Sequence, residues 1–379
     1  MGKLVRVPIT NIYAGGDYTG RILVGPRKKP MNVLLDTGSS ALALNAKKYK
    51  PQVKGGDETT DLAQTDAYGD GSSWTGAVIK TQIAAGTGSE AVVLKDGNAS
   101  IAYTASSDMW GETDGILGLA YAPLDDAFTM PADTWKKKYG ATEVRTGKHG
   151  TITPYLTELF NEGITADKIS FLTHRSFIHG GGGGAKDPLN NGWMIIGGGE
   201  EATDLYTGTF QTVKVLSDQW YCTNLKAIVV GNSAPIASKI KPPVGMPSNS
   251  IIDSGTNSLN LSPPLLDAVI AQFTVGQQAL LNSSIKSGKL VSAKKLNLAS
   301  WPSLTFVLEG DAGDVMLEVP PEDYWQVNTE KVGYAMSAIT VGDPGLAILG
   351  LPLMNPYFTV YDGEADNGRG VVKFAKKAG

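Results

Sequence analysis

Cysteine and histidine are nearly absent from this chain. Cys222 is the only cysteine, and His149, His174 and His179 are the only histidines in 379 residues. A single cysteine permits no intramolecular disulfide, so the fold rests on packing and a reducing compartment is allowed. No His-Glu-x-x-His run and no Gly-x-Ser-x-Gly turn occurs, so neither the zinc-hydrolase nor the serine-hydrolase signature is present. His174 and His179 are expected at the surface, and Cys222, after Trp220-Tyr221, in a buried strand. Charge is also sparse: 18% of residues, with a net charge of −4. That balance gives no footprint for nucleic acid or an anionic membrane. Lys47-Lys48, Lys136-Lys137-Lys138 and Lys376-Lys377 read as solvated surface. No apolar run approaches the ~20 residues that span a bilayer, and Met1-Gly2-Lys3-Leu4-Val5-Arg6 lacks the apolar core of a secretory signal. A cytoplasmic monomer without cofactor or metal is expected.

What the chain does contain is glycine (46 residues) and short Val, Ile, Thr and Tyr runs between turn signals. These favour a β-rich fold, and the length suits two or three domains. Strands are expected around Leu4–Ile9, Tyr18–Val24 and Val33–Leu35, the last running into Asp36. The stretch Asp66–Ser73 followed by Thr75–Ile79 reads as a hairpin. Two short helices are expected, Tyr155–Glu162 and Leu265–Phe273, the second entered through Ser262-Pro263-Pro264. The segment Ser176–Asn191, with Gly180–Gly184, reads as a flexible loop. It lacks the Gly-Lys-Ser/Thr that would complete a phosphate loop.

One pattern occurs twice. Leu34-Leu35-Asp36-Thr37-Gly38-Ser39 and Ile251-Ile252-Asp253-Ser254-Gly255-Thr256 share two apolar residues, an aspartate, a hydroxyl residue, a glycine and a second hydroxyl residue. Each is followed further on by Ile-Leu-Gly, at 116–118 and 348–350. Such long spacing indicates two related lobes rather than a solenoid. A single copy is equally well read as a strand ending in a turn; the symmetric pair points to chemistry. Two carboxylates brought into contact share one proton and titrate as a unit, one acting as acid and the other as base. Glycine lets backbone N–H groups approach a carboxylate, and Ser39 and Thr256 can fix its outer oxygen.

Five segments in order, Leu-Leu-Asp-Thr-Gly-Ser-Ser (34–40), Tyr-Gly-Asp-Gly-Ser-Ser (68–73), Asp-Gly-Ile-Leu-Gly-Leu-Ala-Tyr (114–121), Ile-Ile-Asp-Ser-Gly-Thr (251–256) and Tyr-Phe-Thr-Val-Tyr-Asp (357–362), resemble the pepsin-like aspartic proteases. The absence of disulfides and of a leader resembles the bacterial pepsin homologues called shewasins. The resemblance implies an all-β, bilobal fold of two pseudo-symmetric lobes with a few short helices, divided as 1–180 and 181–379. It implies Asp36 and Asp253 as the catalytic pair, with Thr37 and Ser254 interlocking the two loops and Gly38 and Gly255 offering backbone contacts. It places Tyr68, Gly69 and Asp70 on a flap that closes over substrate and excludes water, with Leu34 and Ile116 beside the cleft. A peptide or protein substrate and a pepstatin-type inhibitor are the implied partners.

Four positions depart from the family pattern. Ala43 stands where many members carry a Trp that bonds the flap tyrosine, so Tyr68 needs another partner, Trp74 or Trp110. Ser107 and Thr113 replace aromatics on the substrate's leading side, and Leu351 replaces an aspartate. The insertion Asp125–Gly150 has no assigned counterpart. With no recognisable prosegment, control by pH alone is expected. The implied activity is acid-optimum endopeptidase cleavage between apolar residues. Two other readings stand beside it: a peptide-binding module that has lost turnover, and a carboxylate metal site, for which two isolated aspartates give few ligands.

Overall fold

The computed structural model of the chain describes residues 2–329 and 331–378. Its elements are mostly strands, and nineteen of the described strands hydrogen-bond into one continuous network. The expected strands form at Val5–Ala14, Asp17–Val24 and Lys29–Asp36. Their burial alternates where one face meets the core, as the period-two pattern requires.

The two halves repeat one arrangement. In the first, Lys29–Asp36 runs parallel to Gly115–Gly118, which is antiparallel to Leu42–Asn45, which is parallel to Val92–Ala105. In the second, Ser250–Ile252 runs parallel to Ala347–Leu349, which is antiparallel to Leu259–Leu261, which is parallel to Ile339–Val341. Both aspartates therefore sit where a buried strand leaves an identical crossing, and both Ile-Leu-Gly segments are the strands alongside.

A platform of six antiparallel strands joins the halves. Val5–Ala14 pairs with Asn191–Ile196, that strand with Lys168–Leu172, and that one with Tyr357–Asp362. Val371–Lys377 and Tyr206–Lys214 complete it. Position 180/181 falls in the loop between Lys168–Leu172 and Asn191–Ile196, two strands bonded to each other.

The helices expected at 155–162 and 265–273 form as Tyr155–Asn161 and Pro263–Ile270. A longer one, Val275–Ser287, was not expected. Thr274 and Gln277 form a capping box at its start, and Gly288 ends it in the left-handed region. Its body is rich in Gln, Asn and Ser, and only Leu281 and Ser284 are buried, so no apolar stripe announces it.

The insertion folds as a ribbon. Asp126–Thr129 pairs with Lys148–Thr151 and also with the strand Glu58–Ala67, at Leu62↔Thr129 and Ala63↔Phe128. Ala63, Phe128, Met130, Tyr139 and Val144 make a small core beneath it. Cys222 is buried as expected. The segment at Gly180–Lys186 is an exposed loop as expected, but the histidine expectation needs correcting. His179 is half-buried, its ring bonded to Asp187, and Gly180 donates to the Asn328 carbonyl at 2.7 Å. His174 is half-buried beside Lys377, and burial pushes its imidazole down to about 4. Lys377 is thus not solvated surface, and the glycine loop is tethered by Asn328 and Asp187.

An ion-pair cluster crosses the platform. The ammonium groups of Lys168 and Lys373 lie 2.9 and 2.7 Å from the Asp362 carboxylate, and Lys373 also lies 2.6 Å from Glu200. Burial alone would raise the Asp362 carboxyl, but the bonds from Lys373 and Lys168 outweigh it and hold it below its ordinary value. A depressed folded-state value contributes stability above the unfolded carboxylate range, lost as pH falls through the folded value. Asp362→Asn is expected to cost about 3 kcal/mol at pH 7 in urea unfolding. The gap from the parent protein should hold down to about pH 4 and close only below it.

Candidate active site

The strand Lys29–Asp36 is apolar at Val33, Leu34 and Leu35, and Leu35 is fully buried, so Asp36 is delivered to the strand's end by core packing. Ile251 and Ile252 deliver Asp253 in the same way. Both aspartates are buried, at 6% and 7% exposure. Each is held by the residues that the repeated motif supplies. The Gly38 amide donates to Asp36 Oδ1 at 2.8 Å and the Ser39 hydroxyl to Oδ2 at 2.5 Å. The Gly255 amide donates to Asp253 Oδ1 at 2.8 Å and the Thr256 hydroxyl to Oδ2 at 2.6 Å. The two sets are near mirror images.

Reciprocal bonds bring the loops together. The Thr37 amide donates to Ser254 Oγ at 3.1 Å, and the Ser254 amide to Thr37 Oγ1 at 2.8 Å. Each hydroxyl then donates to a carbonyl of the opposite strand, Ser254 to Leu35 at 2.8 Å and Thr37 to Ile252 at 3.3 Å. The approach is so close that glycine is required. A Cβ on Gly255 would lie 2.4 Å from Asp36 Oδ1, and one on Gly38 would lie 2.8 Å from Asp253 Oδ1. Burial, and next the Asp253 charge, hold the Asp36 carboxyl well above its usual range, against the opposing bonds from Ser39 and Gly38.

Leu34 and Ile116 face each other across the parallel pair that carries Asp36. The expected hairpin is present as Glu58–Ala67 and Ser73–Ala85, with Tyr68, Gly69 and Asp70 in its tip. The Tyr68 amide bonds the Ser72 carbonyl, and the Asp70 carboxylate accepts from the Ser72 amide, so Asp70 is used in the turn itself. The tyrosine's partner is Trp74: its Nε1 donates to the Tyr68 hydroxyl at 3.2 Å. Trp74 is 1% exposed and packs with Ala41, Ala43 and Ala102, so the small residue at 43 makes room for an indole from the hairpin. Met109 and Trp110 pack against the same cluster, next to the buried Thr113. Burial, then the charges of Asp66 and Asp36, push the Tyr68 phenol well up, against bonds from Trp74 and Ser39.

Two residues that sequence reasoning passed over belong to this region. Trp220 Nε1 donates to the Gly38 carbonyl at 2.9 Å, clamping the first aspartate loop from the second half. The adjacency of Trp220-Tyr221 to Cys222 was its only signal. Asp17, at the start of the strand beside Lys29–Asp36, has a buried Oδ1 without a hydrogen-bond partner. Burial, and then the charges of Asp253 and Asp36, hold its carboxyl well above the usual range. Nothing in its sequence neighbourhood marks it. Among the described residues no three His, Cys, Asp or Glu side chains converge as a metal site would need.

Residues 17–139 and 186–376 match the family described as eukaryotic aspartyl protease. The chain belongs to this pepsin-like family, an aspartic-type endopeptidase on a bilobal, mostly β fold. It is 24% identical over 374 residues to pepsin A of Suncus murinus, covering 95% of this chain and 81% of that protein. It is 23% identical over 376 residues to human gastricsin, covering 92% and 80%. Rhizopuspepsin-5 of Rhizopus niveus is 25% identical over 280 residues, 71% of this chain and 60% of that protein.

Gly255→Ala should force Asp36 aside, and an ångström-scale misplacement of a reacting group lowers turnover by about 100-fold; steady-state peptide cleavage measures it. Trp74→Phe keeps the bulk under the hairpin but removes the donor to Tyr68. A fall of roughly tenfold in kcat/KM is expected, the scale of one lost hydrogen bond, with the melting temperature little changed.

Proposed function

We propose that Asp36 and Asp253 hydrolyse peptide bonds through a water activated between them. The observation that carries this reading is the pair of mirror-image hydrogen-bond sets on two buried carboxylates joined by reciprocal Thr37–Ser254 bonds. Burial and mutual repulsion make the two carboxyls hold one proton between them. The protonated member donates that proton to the scissile carbonyl, while the ionised member takes one from the water. The water attacks the carbonyl carbon, and the proton returned to the leaving nitrogen completes cleavage. An extended peptide of about six to eight residues would lie across the cleft by strand-like backbone bonds. Gly69 and the Asp70 backbone would cover it from the flap.

The pair works only with one proton present, so activity falls as rising pH removes that shared proton. The optimum is therefore acidic, and pepstatin should block the site. Apolar residues on both sides of the cut are the favoured substrate, and Met109 and Trp110 are half-buried apolar side chains beside the hairpin.

Cleavage of an apolar octapeptide from pH 3 to 7, with and without pepstatin, tests the proposal in the parent protein and in Asp36→Ala and Asp253→Ala. Acid-peaked, pepstatin-blocked cleavage lost in both variants is expected. Pepstatin binding without cleavage at any pH would replace this reading by a peptide-binding module. Cleavage abolished by a chelator would point to a carboxylate metal site.

A further inference from the structure

A strongly charged concavity lies away from the cleft. The turn Gly25–Lys28 and the segment following Leu42–Asn45 enclose a cavity of about 220 Å³. Arg27, Lys29, Lys47, Lys48 and Lys50 line it, and no acidic side chain does. In the sequence these are two short basic runs, each unremarkable in a chain of net charge −4; the fold adds them together. Two of the five have partners already. The Lys48 ammonium lies 3.6 Å from Asp114, and the Lys29 ammonium donates to the Lys48 carbonyl. Among the described residues Arg27, Lys47 and Lys50 pair with no carboxylate.

The walls of the cavity are fixed. Lys28 N–H closes the turn on the Gly25 carbonyl at 2.9 Å, and Gly25 and Lys28 both hold positive φ. Gly25 packs against Tyr49 so tightly that a Cβ would lie 2.1 Å from its hydroxyl. That hydroxyl donates to buried Asp57 at 2.8 Å, and the Gln52 amide and Thr81 hydroxyl donate to the same carboxylate. The charged rim therefore stands on a braced floor. Like charges round a concavity repel one another, and its low-dielectric wall focuses their field on an incoming anion.

We propose that this cavity binds a compact anion carrying two or more phosphoryl groups, either free in solution or at the end of a lipid headgroup. The volume is below the ~300–1,000 Å³ of sites that enclose drug-sized ligands, which favours a small, dense charge over a bulky organic body. Arg27 offers a bidentate fork for one phosphoryl group, and the lysines offer point charges for the next. The site is independent of the cleft. Lys29 and Asp36 end the same strand, roughly 23 Å apart at ~3.3 Å per residue.

Titration calorimetry of the full chain with inorganic tripolyphosphate, beside cosedimentation with phosphatidylcholine vesicles containing phosphatidylinositol bisphosphate, tests the proposal. The variants are Lys47→Glu/Lys50→Glu and, as a distant exposed control, Lys294→Glu/Lys295→Glu. Binding in either arm, weakened about tenfold or more by the first pair and kept by the control, supports the site, and the arm that binds identifies the source of the phosphate. Peptide cleavage should be unchanged in both variants. No binding in either arm overturns the proposal, as does equal weakening by both pairs or an equal response to sulfate at matched ionic strength.

Discussion

Two carboxylates pressed together in a buried site repel by about 4 kcal/mol at an effective dielectric of 20. Left alone, the loops bearing Asp36 and Asp253 would part. Four buried bonds between Thr37, Ser254 and the strands behind them oppose that parting, each worth about 1 kcal/mol net. Loss of one charge to a shared proton removes most of the remaining repulsion. The arrangement thus favours the singly protonated pair, the state that a water-activating mechanism needs. Gly38 and Gly255 are the geometric condition for it, since any side chain there would enter the opposite carboxylate.

The first consequence of this clamp is that the halves must be rigid around it. Parallel neighbours at 115–118 and 347–349 back each aspartate strand, and Trp220 reaches across from the second half to the Gly38 carbonyl. The six-stranded platform and the Lys168–Asp362–Lys373 cluster fasten the same halves elsewhere. Because those lysines depress the Asp362 carboxyl, this fastening survives into the acidic range in which the aspartate pair holds its shared proton.

Local chemistry made much of this legible in the sequence. Asp36 and Asp253 could be read with Gly38, Ser39, Gly255 and Thr256 because each of these acts within three positions of its own aspartate; the cross-loop bonds of Thr37 and Ser254 came only from the resemblance. The hairpin and the strands followed from period-two patterning and turn residues. Trp74 could be singled out only as a possible partner of Tyr68; its donation to the hydroxyl depends on three alanines, two at the strand Leu42–Asn45 and one on the strand Val92–Ala105, leaving room. Asp17 and the contact of Trp220 with Gly38 were invisible, because each depends on residues distant in the chain. The helix Val275–Ser287 escaped because caps define it and an apolar stripe does not. The basic cavity was unreadable in the same way, since Lys29 and Lys47 meet only after folding.

The Tyr68–Trp74 bond has a wider implication. Donor and acceptor lie six residues apart on one hairpin, and so the latch is inherited with the gate rather than shared between gate and floor. The ribbon from 126 to 151 extends the same hairpin at its root. The hairpin thus carries both halves of its latch, while its return strand is bound into the sheet through Val92–Ala105. A larger side chain at position 41 or 43 would therefore lift the indole and loosen the flap tyrosine in one movement, without touching either aspartate.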